Sequence, residues 1–105
     1  EINNDWYVKI ITARVPARYA KNYNQYLSFI FENPTHPAYI RFAPGANYIV
    51  PRAYITRYPK IFYENLRTMI SYGMLTLEAY FTERALYTIW TSDFKLHENM
   101  LRRLA

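Results

Sequence analysis

The chain has no cysteine, which excludes disulfides, thiolate nucleophiles and cysteine-based zinc sites and takes redox catalysis by the chain itself out of consideration. Its 2 glycines leave little low-complexity loop and form neither a Walker-type nor a dinucleotide-binding pattern, so nucleotide binding of those kinds has no support. No apolar run approaches the roughly 20 residues a bilayer-spanning helix needs. The charged start, Glu1 to Asp5, lacks the basic-then-apolar plan of a secretory signal. A cytoplasmic or peripheral-membrane location is expected over secretion. Because the first residue is Glu rather than Met, the sequence is expected to begin inside a longer gene product.

Other shortages narrow the chemistry. His36 lies between prolines and His97 in the tail, neither with a second His or carboxylate at ligand spacing, so no metal site is expected from them. No Asp-x-Asp pair occurs of the sort many sugar-nucleotide enzymes use. If the activity needs a divalent metal, the ligands come from an upstream half outside this segment. Ser28, Ser71 and Ser92 lack an elbow motif, and a serine hydrolase reading fails on that ground.

What is present is globular composition: 51% hydrophobic and 20% charged residues over a length of 105, enough for one core and one domain over 1–105, or part of a larger one. The net charge of +5 favours encounter with anions. Its arginines are scattered rather than gathered into a nucleic-acid-binding arm. The 12 tyrosines supply flat apolar faces with a hydroxyl, suited to sugars and bases but equally to the margin of a core.

Periodicity gives the elements. Trp6 to Val15 reads as a strand ended by Pro16. Ala17 to Phe31 reads as a helix, and Asn33 to Pro37 as a loop. Tyr39 to Phe42 and Asn47 to Val50 read as short strands either side of the turn Ala43-Pro44-Gly45-Ala46. A helix follows from about Pro59 to Gly73, another over Leu77 to Thr91 with Thr76 as cap, and a short one through Leu96 to Leu104. The order β-α-β-β-α-α-α implies an α/β class: short central strands flanked by three or four helices.

Glu83 carries the most pointed chemical expectation. Helical spacing surrounds it with Tyr80, Leu86, Tyr87 and Trp90, and partial desolvation there suits a carboxylate to general-base work on a hydroxyl. The alternative is that it pairs with an arginine or a tyrosine hydroxyl to fix its helix. Arg84 is its neighbour, but lies about 100° round the helix, so the two need not pair. Glu78 is expected to sit at the helix start, favoured by the dipole. Gly45 and Asn47 bring a backbone amide and a side chain near a ligand, and Arg52 either holds a phosphate or ends a strand as a solvated charge.

Three segments, Arg41-Phe-Ala-Pro-Gly-Ala-Asn-Tyr-Ile-Val-Pro-Arg52, Ile55 to Tyr63 with Arg-Tyr-Pro-Lys-Ile-Phe-Tyr, and Glu83-Arg-Ala-Leu-Tyr-Thr-Ile-Trp90, resemble the carboxy-terminal half of a glycosyltransferase-like family of bacterial and fungal proteins placed with the GT-A-type nucleotide-sugar transferases. The resemblance covers roughly Tyr26 to Phe94. It implies the acceptor side of a cleft that transfers a sugar from a nucleotide-sugar donor to a hydroxyl acceptor. Glu83 would be the base, Tyr80, Tyr87 or Trp90 the stacking face, and Gly45, Asn47, Arg52 and Arg84 further substrate contacts. An amino-terminal half or partner chain would bind the nucleotide. The rival expectations are a basic, aromatic nucleic-acid-binding module and a noncatalytic assembly domain in which Trp6, Tyr7, Tyr54 and Phe94 cover a partner.

Overall fold

The computed structural model describes residues 15–43, 45 and 47–104. In them lie the helices α1 (Tyr23–Ile30), α2 (Arg52–Thr56), α3 (Lys60–Ser71) and α4 (Leu77–Thr91), followed by a 3₁₀ turn at Glu98–Met100. Each long helix starts where a polar or proline residue resolves the orphan amides of its first turn. The Asn22 side chain accepts from the Gln25 amide at 2.8 Å while Gln25 reaches back to the Lys21 amide at 2.9 Å. Pro59 occupies the cap position of α3, and Thr76 caps α4 by accepting from the Ala79 amide.

Helix α4 is the centre on which α1, α2 and α3 pack. Phe81, fully buried at its middle, meets the rings of Tyr23 and Tyr26 at 6.3 and 6.0 Å. The Tyr26 hydroxyl, buried with them, is satisfied by Thr82 at 2.7 Å. On α3, Phe62 stacks against Tyr58 at 4.6 Å. The Tyr58 hydroxyl and the Arg57 guanidinium both donate to the Ile89 carbonyl, and Arg57 also reaches that of Ser92. A cation and a phenol thereby satisfy carbonyls at the C-terminal end of α4.

The expected α/β class is overturned. Among the described residues no strand forms, and the one β-type pairing is an isolated antiparallel bridge between Phe31 and Leu96. Tyr39 to Phe42 and Asn47 to Val50 have strand-like composition, but a strand needs a neighbour to share its backbone hydrogen bonds. Here their aromatic side chains pack onto α4 instead, and Ile49 and Tyr39 point into solvent. The strand expected over Trp6 to Val15 lies outside the described residues except for Val15, which is not in a strand.

Two helices are shorter than expected. The segment 17–22 is not helical because the amides of residues 18–20 are bound to Glu78. The tail helix reduces to the 3₁₀ turn, because the buried Asn65 side chain binds the Met100 and Arg102 carbonyls and the Leu104 amide. No helix among the described residues is long and apolar enough to cross a membrane.

The buried phenols make an alkaline prediction. Burial pushes the Tyr23 and Tyr26 hydroxyls well above the ordinary value of 10.0. Burial, followed by the hydrogen bond to Glu78 and the charge of that carboxylate, pushes Tyr72 up to about 12. An unfolded chain ionises these groups near 10.0 while the fold keeps them protonated. Their stabilising contribution is therefore complete below pH 10 and is lost as pH rises through 12. An alkaline titration followed by tyrosinate absorbance and circular dichroism is expected to show helix loss beginning above pH 10. Ionisation of every tyrosine with helicity intact would contradict it.

Candidate functional site

The segment 42–48 is laid against one side of α4. The Arg84 guanidinium stacks over the Phe42 ring at 4.6 Å, and the Tyr48 ring meets Trp90 edge-on at 5.5 Å. The Tyr48 hydroxyl accepts from the Ala43 amide at 2.8 Å, closing the segment on itself. Between these anchors Gly45 takes φ +73°, a left-handed conformation that glycine adopts without strain. Its amide donates to Glu83 Oε2 at 2.8 Å.

Glu83 Oε1 accepts from Arg84 Nη1 at 2.9 Å. The pairing was not required by helix geometry, since adjacent residues diverge around the axis. The Arg84 side chain nevertheless bends back, with the same nitrogen 3.2 Å from the Tyr80 carbonyl. Of the two side chains Arg84 is the more buried, at 11% exposure against 31% for Glu83. A carboxylate held by one amide and one guanidinium keeps acceptor capacity on both oxygens.

The exposed edge of Glu83 faces a groove of about 630 Å³ between α3 and α4. Leu66 and Ile70 of α3 and Ala79 and Leu86 of α4 make its apolar walls, with Leu75 at the turn between the helices. Gly45, Thr82 and Glu83 contribute polar groups, and Tyr63, Tyr80 and Arg67 complete the lining. The Tyr63 hydroxyl donates to the Ile55 carbonyl at 2.6 Å, and its pKa is raised chiefly by burial, so it stays a neutral phenol.

Of the residues the sequence points to, Gly45, Tyr80 and Glu83 come together in this groove. The others stand elsewhere. Arg84 lies behind Glu83 and orients it, while Trp90 is occupied with Tyr48. Tyr87 is exposed, Asn47 is exposed two residues beyond the bend, and Arg52 is the exposed first residue of α2. Pro44 and Ala46 of the expected turn lie outside the described residues, as do Trp6 and Tyr7 of the expected assembly surface. Tyr54 is exposed on α2, and Phe94 is half-buried edge-on to Phe31 at 5.5 Å. The α3 wall was missed as a site, although Tyr63, Arg67 and Ile70 recur at helical spacing beside the face expected to be apolar.

A second carboxylate is more deeply placed than Glu83. Glu78 is fully buried. Its Oε2 accepts from the amides of Arg18, Tyr19 and Ala20 at 2.9, 2.6 and 3.3 Å, and its Oε1 accepts from the Tyr72 hydroxyl at 2.7 Å. Position in the first turn of α4 adds the favourable dipole. Every bond is spent on the protein itself, so Glu78 holds the frame rather than a ligand. Among the described residues no three His, Asp or Glu side chains converge as a metal site.

No family model matches the sequence, and neither a curated protein nor a solved structure matches it.

Proposed function

We propose that the chain binds a hydroxylated amphiphile, such as an alkyl glycoside, in the α3–α4 groove, with Glu83 accepting from a ligand hydroxyl. The observation that carries this reading is a tethered carboxylate, 31% exposed, on the wall of an otherwise apolar groove of ligand size. Arg84 already balances the charge of Glu83, and Arg67 adds a positive group to the lining. A neutral hydroxyl therefore suits the site better than a cation. The apolar walls ask for a ring or chain behind it.

This keeps the acceptor side of the sugar-transferase expectation, in which Glu83 meets a hydroxyl beside the Gly45 bend. The described residues form no sheet of the kind a GT-A donor site is built on, so nucleotide-sugar binding is left to other parts of a larger assembly.

Calorimetric titration with octyl glucoside, below its micelle-forming concentration, tests the reading. The glucoside is expected to bind at one site, and octyltrimethylammonium, with the same tail and a cationic head, is expected to bind more weakly. Glu83→Gln replaces a charged acceptor by a neutral one and is expected to weaken the glucoside about tenfold. Equal binding of the two heads, or an unchanged affinity in the variant, would overturn it.

A further inference from the structure

A separate cleft of about 660 Å³ opens at the C-terminal end of α1, sharing no lining residue with the α3–α4 groove. Ser28, in the last turn of α1, lies 2.8 Å from His36 Nε2 through its hydroxyl oxygen. The sequence keeps these residues eight apart, and the fold closes the gap by a local reversal. After α1 the Glu32 amide is fixed to the Lys95 carbonyl at 2.8 Å, and Asn33 then takes φ 45°, turning the chain so that His36 comes back over the helix. Asn is among the few residues that enter this left-handed region readily.

His97 lines the same cleft. Its Nδ1 accepts from the Asn99 amide at 3.0 Å. That bond fixes the tautomer of the neutral ring, leaving Nε2 as the protonated, donating nitrogen. Phe31 gives the cleft one apolar wall, and Glu32, in an ion pair with Lys95 at 3.6 Å, stands at its edge. A nucleophile within hydrogen-bond reach of a base, with a second imidazole N–H in the same cleft, is the minimum arrangement for acyl transfer.

We infer that Ser28, His36 and His97 form a second site that cleaves small acyl esters through an acyl-serine intermediate. Ser28 Oγ bonds to the ester carbonyl carbon as its proton passes to His36 Nε2, and His97 Nε2–H donates to the oxygen that gains charge. The bond to the alcohol oxygen breaks, and that oxygen takes the proton from His36. Water then attacks the acyl carbon, its proton goes to His36, and Ser28 Oγ recovers that proton as the carboxylic acid leaves. No metal or redox partner enters the balance. The elbow motif is absent because the serine sits on a helix end rather than a strand-to-helix turn. The pair is spatial rather than sequential, which is how such constellations recur on unrelated folds.

A fluorophosphonate probe, which loses fluoride as a serine oxygen bonds to phosphorus, tests the assignment on the whole chain. Peptide mapping is expected to place the label on Ser28 at least about tenfold faster than on Ser71 or Ser92, and Ser28→Ala is expected to abolish that fast phase. His36→Gln is expected to slow labelling by about 10²-fold or more, the scale of a lost general base. His97→Asn keeps an acceptor for the Asn99 amide while removing the ring donor, and is expected to slow it by roughly tenfold to a hundredfold. Circular dichroism of each variant is expected to match the parent, since these side chains lie at an exposed helix end. Labelling spread evenly over the serines, or a His36→Gln rate equal to the parent's in a folded chain, would overturn the inference.

Discussion

Glu78→Ala is expected to destabilise the fold by about 3–5 kcal/mol, the range for removing the charged partner of several buried donors at once. Three backbone amides from residues 18–20 converge on one carboxylate oxygen, and the Tyr72 hydroxyl on the other. Without them the segment entering α1 has buried polar groups and no acceptor. The Arg18 guanidinium, stacked at 4.3 Å over Tyr72, loses its setting as well. Glu78→Gln restores one acceptor oxygen and is expected to recover part of the loss. Chemical denaturation monitored by circular dichroism measures both. A change below about 1 kcal/mol for the alanine variant, the size of an ordinary surface substitution, would show that the amides find other partners.

Phe81→Ala is expected to cost about 3–5 kcal/mol, from lost apolar burial and the cavity left between α1 and α4. Phe81 is fully buried, and the two tyrosine rings of α1 that rest on it have no second aromatic partner on α4 in the ring contacts described. Tyr26 remains tied to Thr82, so the loss is expected to loosen α1 before it frees the α3–α4 pair. Hydrogen exchange resolved by residue distinguishes the two: faster exchange in Tyr23–Ile30 with Lys60–Ser71 still protected is the expected pattern. Uniform acceleration across all helices would mean that α1 is not a separable layer. Against a total stability of typically 5–15 kcal/mol, either substitution removes a large share.

The helices were legible where local signals act alone. Thr76 as cap and the bounds of Leu77–Thr91 follow from side-chain chemistry within one or two turns. The 12-residue helix after Pro59 follows likewise, ending two residues short of Gly73. The strands were misread because Tyr39 to Phe42 and Asn47 to Val50 carry aromatic and β-branched residues, and composition does not say whether a neighbouring strand exists to pair with them. Phe42 and Tyr48 face Arg84 and Trp90 of α4 instead.

The carboxylates divide in the same way. Glu83 beside a bend was legible, since the turn at Gly45 and the aromatic company of Glu83 are both local patterns. Its partner Arg84 was set aside on the angle between neighbouring residues, which neglects the reach of a long guanidinium arm. Glu78 was read as a dipole partner. Its burial depends on amides 58 to 60 residues away in sequence, a relation no local pattern contains. Ser28 and His36 escaped notice for a related reason, because only the reversal at Asn33 brings them together.

The chain has 2 glycines, and one of them, Gly45, donates its amide to the carboxylate proposed to meet the ligand. Its amide resonance, with Gly73 as the internal reference, is the most direct reporter of that claim. Titrating octyl glucoside into isotopically labelled protein is expected to move the Gly45 amide progressively and leave Gly73 in place, with the movement greatly reduced in Glu83→Gln. A Gly45 signal that stays fixed while the glucoside binds would contradict the assignment of Glu83 as the group that receives the hydroxyl.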